Sequence, residues 1–183
     1  MKSWNGLTQA MKITLKSIGT LDTGILVALK ERLSFIFGCT VDIVLLPETP
    51  LYAYEADRAQ YRASLIVDKL AEDINSQEEK VLGVTDKDLF EQGLNYVFGE
   101  ASPAYGAAII SLCRLKQEFD GALPDSGLLI DRMVKEAVHE LGHTFGLGHC
   151  SDIHCVMHFS NCLADTDIKN SSFCSKCHPK LIK

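Results

Sequence analysis

The chain has 183 residues, 46% hydrophobic and 23% charged, the balance of one ordinary globular unit rather than of a disordered or fibrous chain. Its 18 Lys and Arg against 24 Asp and Glu leave a net charge of -6, which offers no footprint for a phosphate backbone and argues against a nucleic-acid partner. No apolar run approaches the roughly 20 residues needed to span a bilayer, and no secretory leader is visible at the N-terminus, so a cytoplasmic protein with no membrane partner is expected.

In chain order, residues 11–17 alternate apolar and polar side chains and predict a strand, and the apolar-periodic stretch from Thr23 to Phe37 predicts a helix. The β-branched run Thr40–Leu46 predicts a second strand, parallel to the first through a βαβ connection. A longer helix is predicted over Ala56–Asn75, with Leu65, Ile66, Leu70 and Ile74 at helical spacing, and a strand over Lys80–Val84. Asn95–Gly99 and Ala107–Leu112 read as two further strands around a turn-rich Glu100–Gly106. Ile130, Val134, Ala137, Leu141 and Phe145 then mark a helix over Leu128–Phe145. Beyond Gly146 the periodicity stops, so a hydrophobic core is not expected to order the last stretch.

That last helix carries His139, Glu140 and His143. A separation of four residues puts the two imidazoles about 40° apart on one helical face, where both reach one metal ion. Glu140, about 100° round from His139, is placed to touch a metal-bound water as a general base. Gly146 can end the helix in a left-handed turn and bring His149 back to the same metal. Three nitrogen ligands with one open position are the arrangement of a catalytic zinc.

Five of the seven cysteines fall after residue 149, and in a chain without a leader they point to metal or redox use rather than a disulfide framework. Cys150, Cys155, Cys174 and Cys177 form two pairs, the second a CxxC, as a tetrahedral structural zinc requires. Cys162, His154, His158 and His178 lie close enough in sequence to compete as ligands. Cys39 and Cys113 read as buried hydrophobes beside apolar strands, and Glu136 as either a partner of the site or a solvated charge.

The string from His139 to His149, HELGHTFGLGH, matches the HExxHxxGxxH signature and resembles the metzincins. With the cysteines that follow, with VTDKDLF at Val84–Phe90 and with NYVFGEA at Asn95–Ala101, the chain resembles the archaemetzincin family in particular. The resemblance implies an α/β (α+β) metzincin-like catalytic domain with a twisted mixed sheet and packed helices. One domain over residues 1–183 would divide near residue 146 into a sheet-and-helix part and a small zinc-stabilised irregular part over 147–183. It further implies a catalytic zinc on His139, His143 and His149, Glu140 as base, Met157 in a turn beneath the metal, and a structural zinc on Cys150, Cys155, Cys174 and Cys177. NYVFGEA would be the edge strand that binds peptide in extended form.

The activity expected is hydrolysis of peptide bonds in a peptide or protein substrate, through a zinc-bound water with Glu140 as general base, by a monomer holding two Zn²⁺ ions. The alternative is a zinc-stabilised peptide-binding module with little or no turnover, which would have no need of Glu140. Only about ten residues precede the first strand, so restraint is expected from a narrow cleft or a narrow, aminopeptidase-like preference rather than from an inhibitory prodomain.

Overall fold

The computed structural model describes residues 11–182. Strand β1 (Lys12–Ile18) leads into helix α1 (Thr23–Phe37), whose start is fixed by the Asp22 carboxylate accepting the Ile25 backbone N–H at 3.1 Å. α1 buries Leu26, Leu29, Leu33 and Phe37 and returns the chain to β2 (Thr40–Leu46), parallel to β1 as the βαβ reading requires.

The next stretch departs from expectation. Instead of a helix from Ala56, β3 (Tyr54–Glu55) and β4 (Gln60–Arg62) form a short antiparallel pair, and α2 occupies only Ala63–Ala71. Ala59 turns the chain at a positive φ of 52°. Gln60 donates to Asp88 Oδ2 at 2.9 Å, and Arg58 donates to the Asn95 carbonyl at 2.8 Å. Partners distant in sequence thus outweigh the weak local preference for helix.

β5 (Glu79–Thr85), β6 (Leu89–Phe90), β7 (Gly99–Ser102) and β8 (Ala107–Ser111) follow. One sheet has the order β2-β1-β5-β8-β7, parallel except for the antiparallel edge strand β7, and β3-β4-β6 form a second. The strand expected at Asn95–Gly99 is therefore displaced to Gly99–Ser102. Of the earlier residues, Val97 makes an isolated bridge to Leu89, and the apolar side chains of the run line a cavity instead of a ladder. Alternation along β8 serves two cores: Ala108 and Ile110 pack with α1 and the long helix α3 (Ser126–Thr144), while Ala107 and Ile109 pack with α2.

The C-terminal stretch is more ordered than its composition predicts. It holds a short helix, α4 (Leu163–Ile168), and Leu147, Val156, Met157 and Leu181 are buried in the main core. Cys39 and Cys113 are half-buried rather than buried, and partial burial lifts the Cys39 thiol to about 11. No described helix is long and apolar enough to cross a membrane.

Candidate metal centre

Helix α3 is begun by Asp125, whose carboxylate accepts the Leu128 N–H at 2.9 Å, and it is buried almost all round from Arg132 to Gly142. Its last two turns carry His139 and His143 on one face. The His139 Nδ1 lies 2.7 Å from the Val156 carbonyl, and the His143 Nδ1 lies 2.7 Å from the Leu147 carbonyl. A carbonyl can only accept, so each Nδ1 carries the proton and each Nε2 presents a lone pair. Those two Nε2 atoms face each other at 3.1 Å. Two lone pairs at that distance repel unless a cation stands between them, and the separation suits two nitrogens each about 2.0–2.1 Å from one zinc.

Gly146, at φ 82°, turns the chain after the helix, and the ring of His149 comes back to 5.4 Å from that of His139 and 4.9 Å from that of His143, centroid to centroid. Ligand atoms of the three histidines lie within 4.8 Å of one another. Burial lowers the pKa of all three, most strongly for His139, so the rings are held neutral, as metal ligation needs.

The four cysteines expected to ligate a metal also converge, with sulfurs within 4.8 Å of one another and Cys150 Sγ 3.8 Å from Cys174 Sγ. That spacing is far beyond a disulfide bond and suits two thiolates each about 2.3 Å from a tetrahedral ion. Burial works against ionising Cys174, but the N–H groups of Cys177 and Lys176 and the thiols of Cys155 and Cys150 outweigh it and bring its pKa to about 7. Among the described residues neither cluster includes His154, His158, His178 or Cys162. His158 Nδ1 is instead engaged with the Cys150 carbonyl at 2.9 Å, and the exposed Cys162 points to Asp165.

Comparison with known proteins identifies the family. The profile of peptidase family M54 matches residues 17–183. The archaemetzincin of Methanocaldococcus jannaschii is 40% identical over 96% of this chain and 95% of its own. The chain belongs to peptidase family M54, the archaemetzincins. Two solved structures of the same kind superpose closely. The zinc-dependent peptidase of Methanocorpusculum labreanum has a TM-score of 0.86 at 35% identity, over 92% of this chain and 99% of that one. The archaemetzincin of Methanopyrus kandleri has a TM-score of 0.83 at 36% identity, over 97% of each. Membership of this family makes the chain a zinc metallopeptidase with a peptide substrate.

Around the histidines lie Met157, Glu136 and Glu140, which the sequence singles out, and Gly142, Gly99, Lys169, Thr166, Arg132 and Asp167, to which it gives no role. Met157 is fully buried, and a Cβ on Gly142 would sit 2.4 Å from its sulfur, so the glycine inside HELGH is what lets the methionine lie against the helix. Gly99 does the same for Glu140: a Cβ there would come 2.6 Å from Glu140 Cγ and 2.8 Å from the Ile109 carbonyl. Glu136 proves to be a buried partner and not a solvated charge. Its Oε1 accepts from Thr166 Oγ1 at 3.0 Å and lies 2.9 Å from the ammonium of Lys169, which is 1% exposed and lacks hydrogen-bond alignment to the carboxylate. Arg132 adds a two-pronged pair to Asp167, so the α4 region is fastened to α3 by a polar ladder. Glu140 is pushed well above the usual carboxylate range by burial, helped by the charges of Glu136 and Glu100. It lines, with His139, a cavity of about 230 Å³ walled by Tyr96, Phe98 and Phe159.

Proposed function

We propose that His139, His143 and His149 hold the catalytic zinc of this peptidase, that Glu140 is its general base, and that Cys150, Cys155, Cys174 and Cys177 hold a second, structural zinc. The observation that carries the reading is the pair of inward Nε2 lone pairs at 3.1 Å, each fixed by a backbone carbonyl on the outer nitrogen. Zinc at that point supplies Lewis acidity, polarising a carbonyl and lowering the pKa of a bound water toward about 7.

The chain's own residues do the proton work. Glu140 takes a proton from the water that attacks the scissile carbonyl carbon; its buried setting favours the protonated form, so it keeps that proton until the C–N bond breaks. It then delivers the proton to the leaving amine and is restored as carboxylate. Met157 beneath α3 and the Val156 carbonyl on His139 keep the ligands from turning while this happens.

Elemental analysis of the purified protein tests the assignment. Two zinc ions per chain are expected, the histidine-bound ion leaving first to a mild chelator because its site is open. His143→Ala is expected to lower the content to one. A single metal at full occupancy, unchanged by substitution of the cysteines, would overturn the two-site reading.

A further inference from the structure

Tyr96 stands between two cavities. On one side is the cavity of about 230 Å³ that contains His139 and Glu140. On the other is one of about 340 Å³ lined by Arg114, Phe119, Asp120, Cys162 and Leu163. Tyr96 and Phe98 line both.

The Tyr96 ring is braced in three directions. Its hydroxyl donates to the Asn161 carbonyl at 3.1 Å, tying the segment before β7 to the segment that follows Met157. Its edge meets Phe98 at 5.4 Å between centroids. The Arg114 guanidinium lies 4.3 Å from the ring centre, and is itself held by a two-pronged pair with Asp88 at 2.6 and 2.7 Å and by Phe119 at 4.6 Å. A ring held by a hydrogen bond, an aromatic edge and a clamped cation costs more to displace than a side chain on an open rim. It therefore acts as a fixed wall.

We infer that Tyr96 is a specificity-determining residue: it sets the depth of the pocket that receives the substrate side chain beside the cleaved bond. The inference rests on the assignment of His139 and Glu140 to the reacting centre. The near cavity is walled by Tyr96, Phe98 and Phe159, and the one carboxylate on it besides Glu140, that of Glu136, is already paired with Lys169. Aromatic walls without a free counter-charge select an uncharged, compact apolar side chain of the size of leucine or methionine. A longer ring system meets Tyr96. Without that ring, Phe98 is the one aromatic side chain still shared by the near cavity and the far one, and the near cavity is deeper.

The test uses peptides of one sequence that differ only at the residues flanking the cleaved bond, carrying Ala, Leu, Phe, Trp or biphenylalanine. Cleavage is measured for the wild type, Tyr96→Ala and Tyr96→Trp. Binding of the same peptides is measured by fluorescence anisotropy on the zinc-loaded proteins that also carry Glu140→Gln. Tyr96→Ala is expected to raise the preference for Trp over Leu by about tenfold or more, the discrimination that a few methylenes in an apolar pocket supply. Tyr96→Trp keeps an aromatic wall and thickens it, so it is expected to lower the preference for Leu over Ala. Unchanged ratios in both variants, with cleavage retained, would overturn the inference and leave the peptidase assignment standing. Binding ratios that shift while none of the proteins cleaves any peptide would uphold the wall and overturn the hydrolytic roles given to His139 and Glu140.

Discussion

His139 is anchored to Val156: the ring Nδ1 meets the Val156 carbonyl at 2.7 Å, and Val156 stands between Cys155, in the thiol cluster, and Met157, under the helix. Met157 in turn offers its carbonyl to the Cys150 N–H at 2.8 Å, next to His149. Three consecutive residues therefore connect both clusters to the helix that carries Glu140.

This relationship predicts coupling between the sites. Cys155→Ser should loosen the Val156 carbonyl as well as the thiol cluster. Loss of such an outer partner weakens metal affinity by about 10- to 100-fold, so zinc at the histidines should become easier to remove by that factor. Competition with a chelator of known affinity, read by zinc release from the histidine site, checks it. Unchanged affinity there would mean that the two sites are independent.

The buried pair under α3 predicts a stability effect. Lys169→Met leaves Glu136 in a closed site without its counter-charge and should cost about 3 to 5 kcal/mol of unfolding free energy in a denaturant titration. Glu136→Gln combined with Lys169→Met removes both charges and should recover most of that loss. A single substitution as mild as the double would show that the pair contributes little.

The same pair predicts the direction of a pH change. Glu140 works as a base only when ionised, and its pKa is raised, so activity should fall as pH drops through a value above the ordinary carboxylate range. Glu136 raises the Glu140 pKa and Lys169 lowers it, with Glu136 the larger influence. Removing both should therefore move the acid limb of kcat/KM to lower pH. A limb that stays in place or moves upward would contradict the assignment of that limb to Glu140.

Gly99 predicts a loss of rate without loss of metal. Gly99→Ala places a methyl 2.6 Å from Glu140 Cγ and 2.8 Å from a backbone oxygen of β8, so the carboxylate has to shift. A misplacement of about 1 Å can cost about 10²-fold in rate. Zinc content should be unchanged, and peptide hydrolysis should fall by roughly that factor.

How much of this was legible in the sequence follows from the range of each interaction. The convergence of His139, His143 and His149 was legible because fixed local spacings place them on one helical face and its following turn, and that of the two cysteine pairs because four thiols in two pairs fit one tetrahedral ion. The parallel β1-β2 pair was legible from alternation in the first strand, a β-branched run in the second and the helix that connects them. The contact of Lys169 with Glu136 was not, because residues 33 positions apart meet only after the chain reverses beyond Met157. Asn95–Gly99 was misread as a strand because an apolar run looks the same whether it pairs in a sheet or walls a cavity. The early start assigned to α2 failed because Arg58 and Gln60 find partners near Asn95, which no local pattern announces.

The most direct test of the account is Glu140→Gln, measured for zinc content, peptide binding and peptide hydrolysis on one preparation. The substitution keeps the size of the side chain against Gly99 and removes only its basicity. Zinc content and peptide affinity should match the wild type, and hydrolysis should fall by at least about 10²-fold, the lower range of what a positioned general base contributes. Hydrolysis at the wild-type rate by a fully zinc-loaded Glu140→Gln protein would contradict the account at its centre.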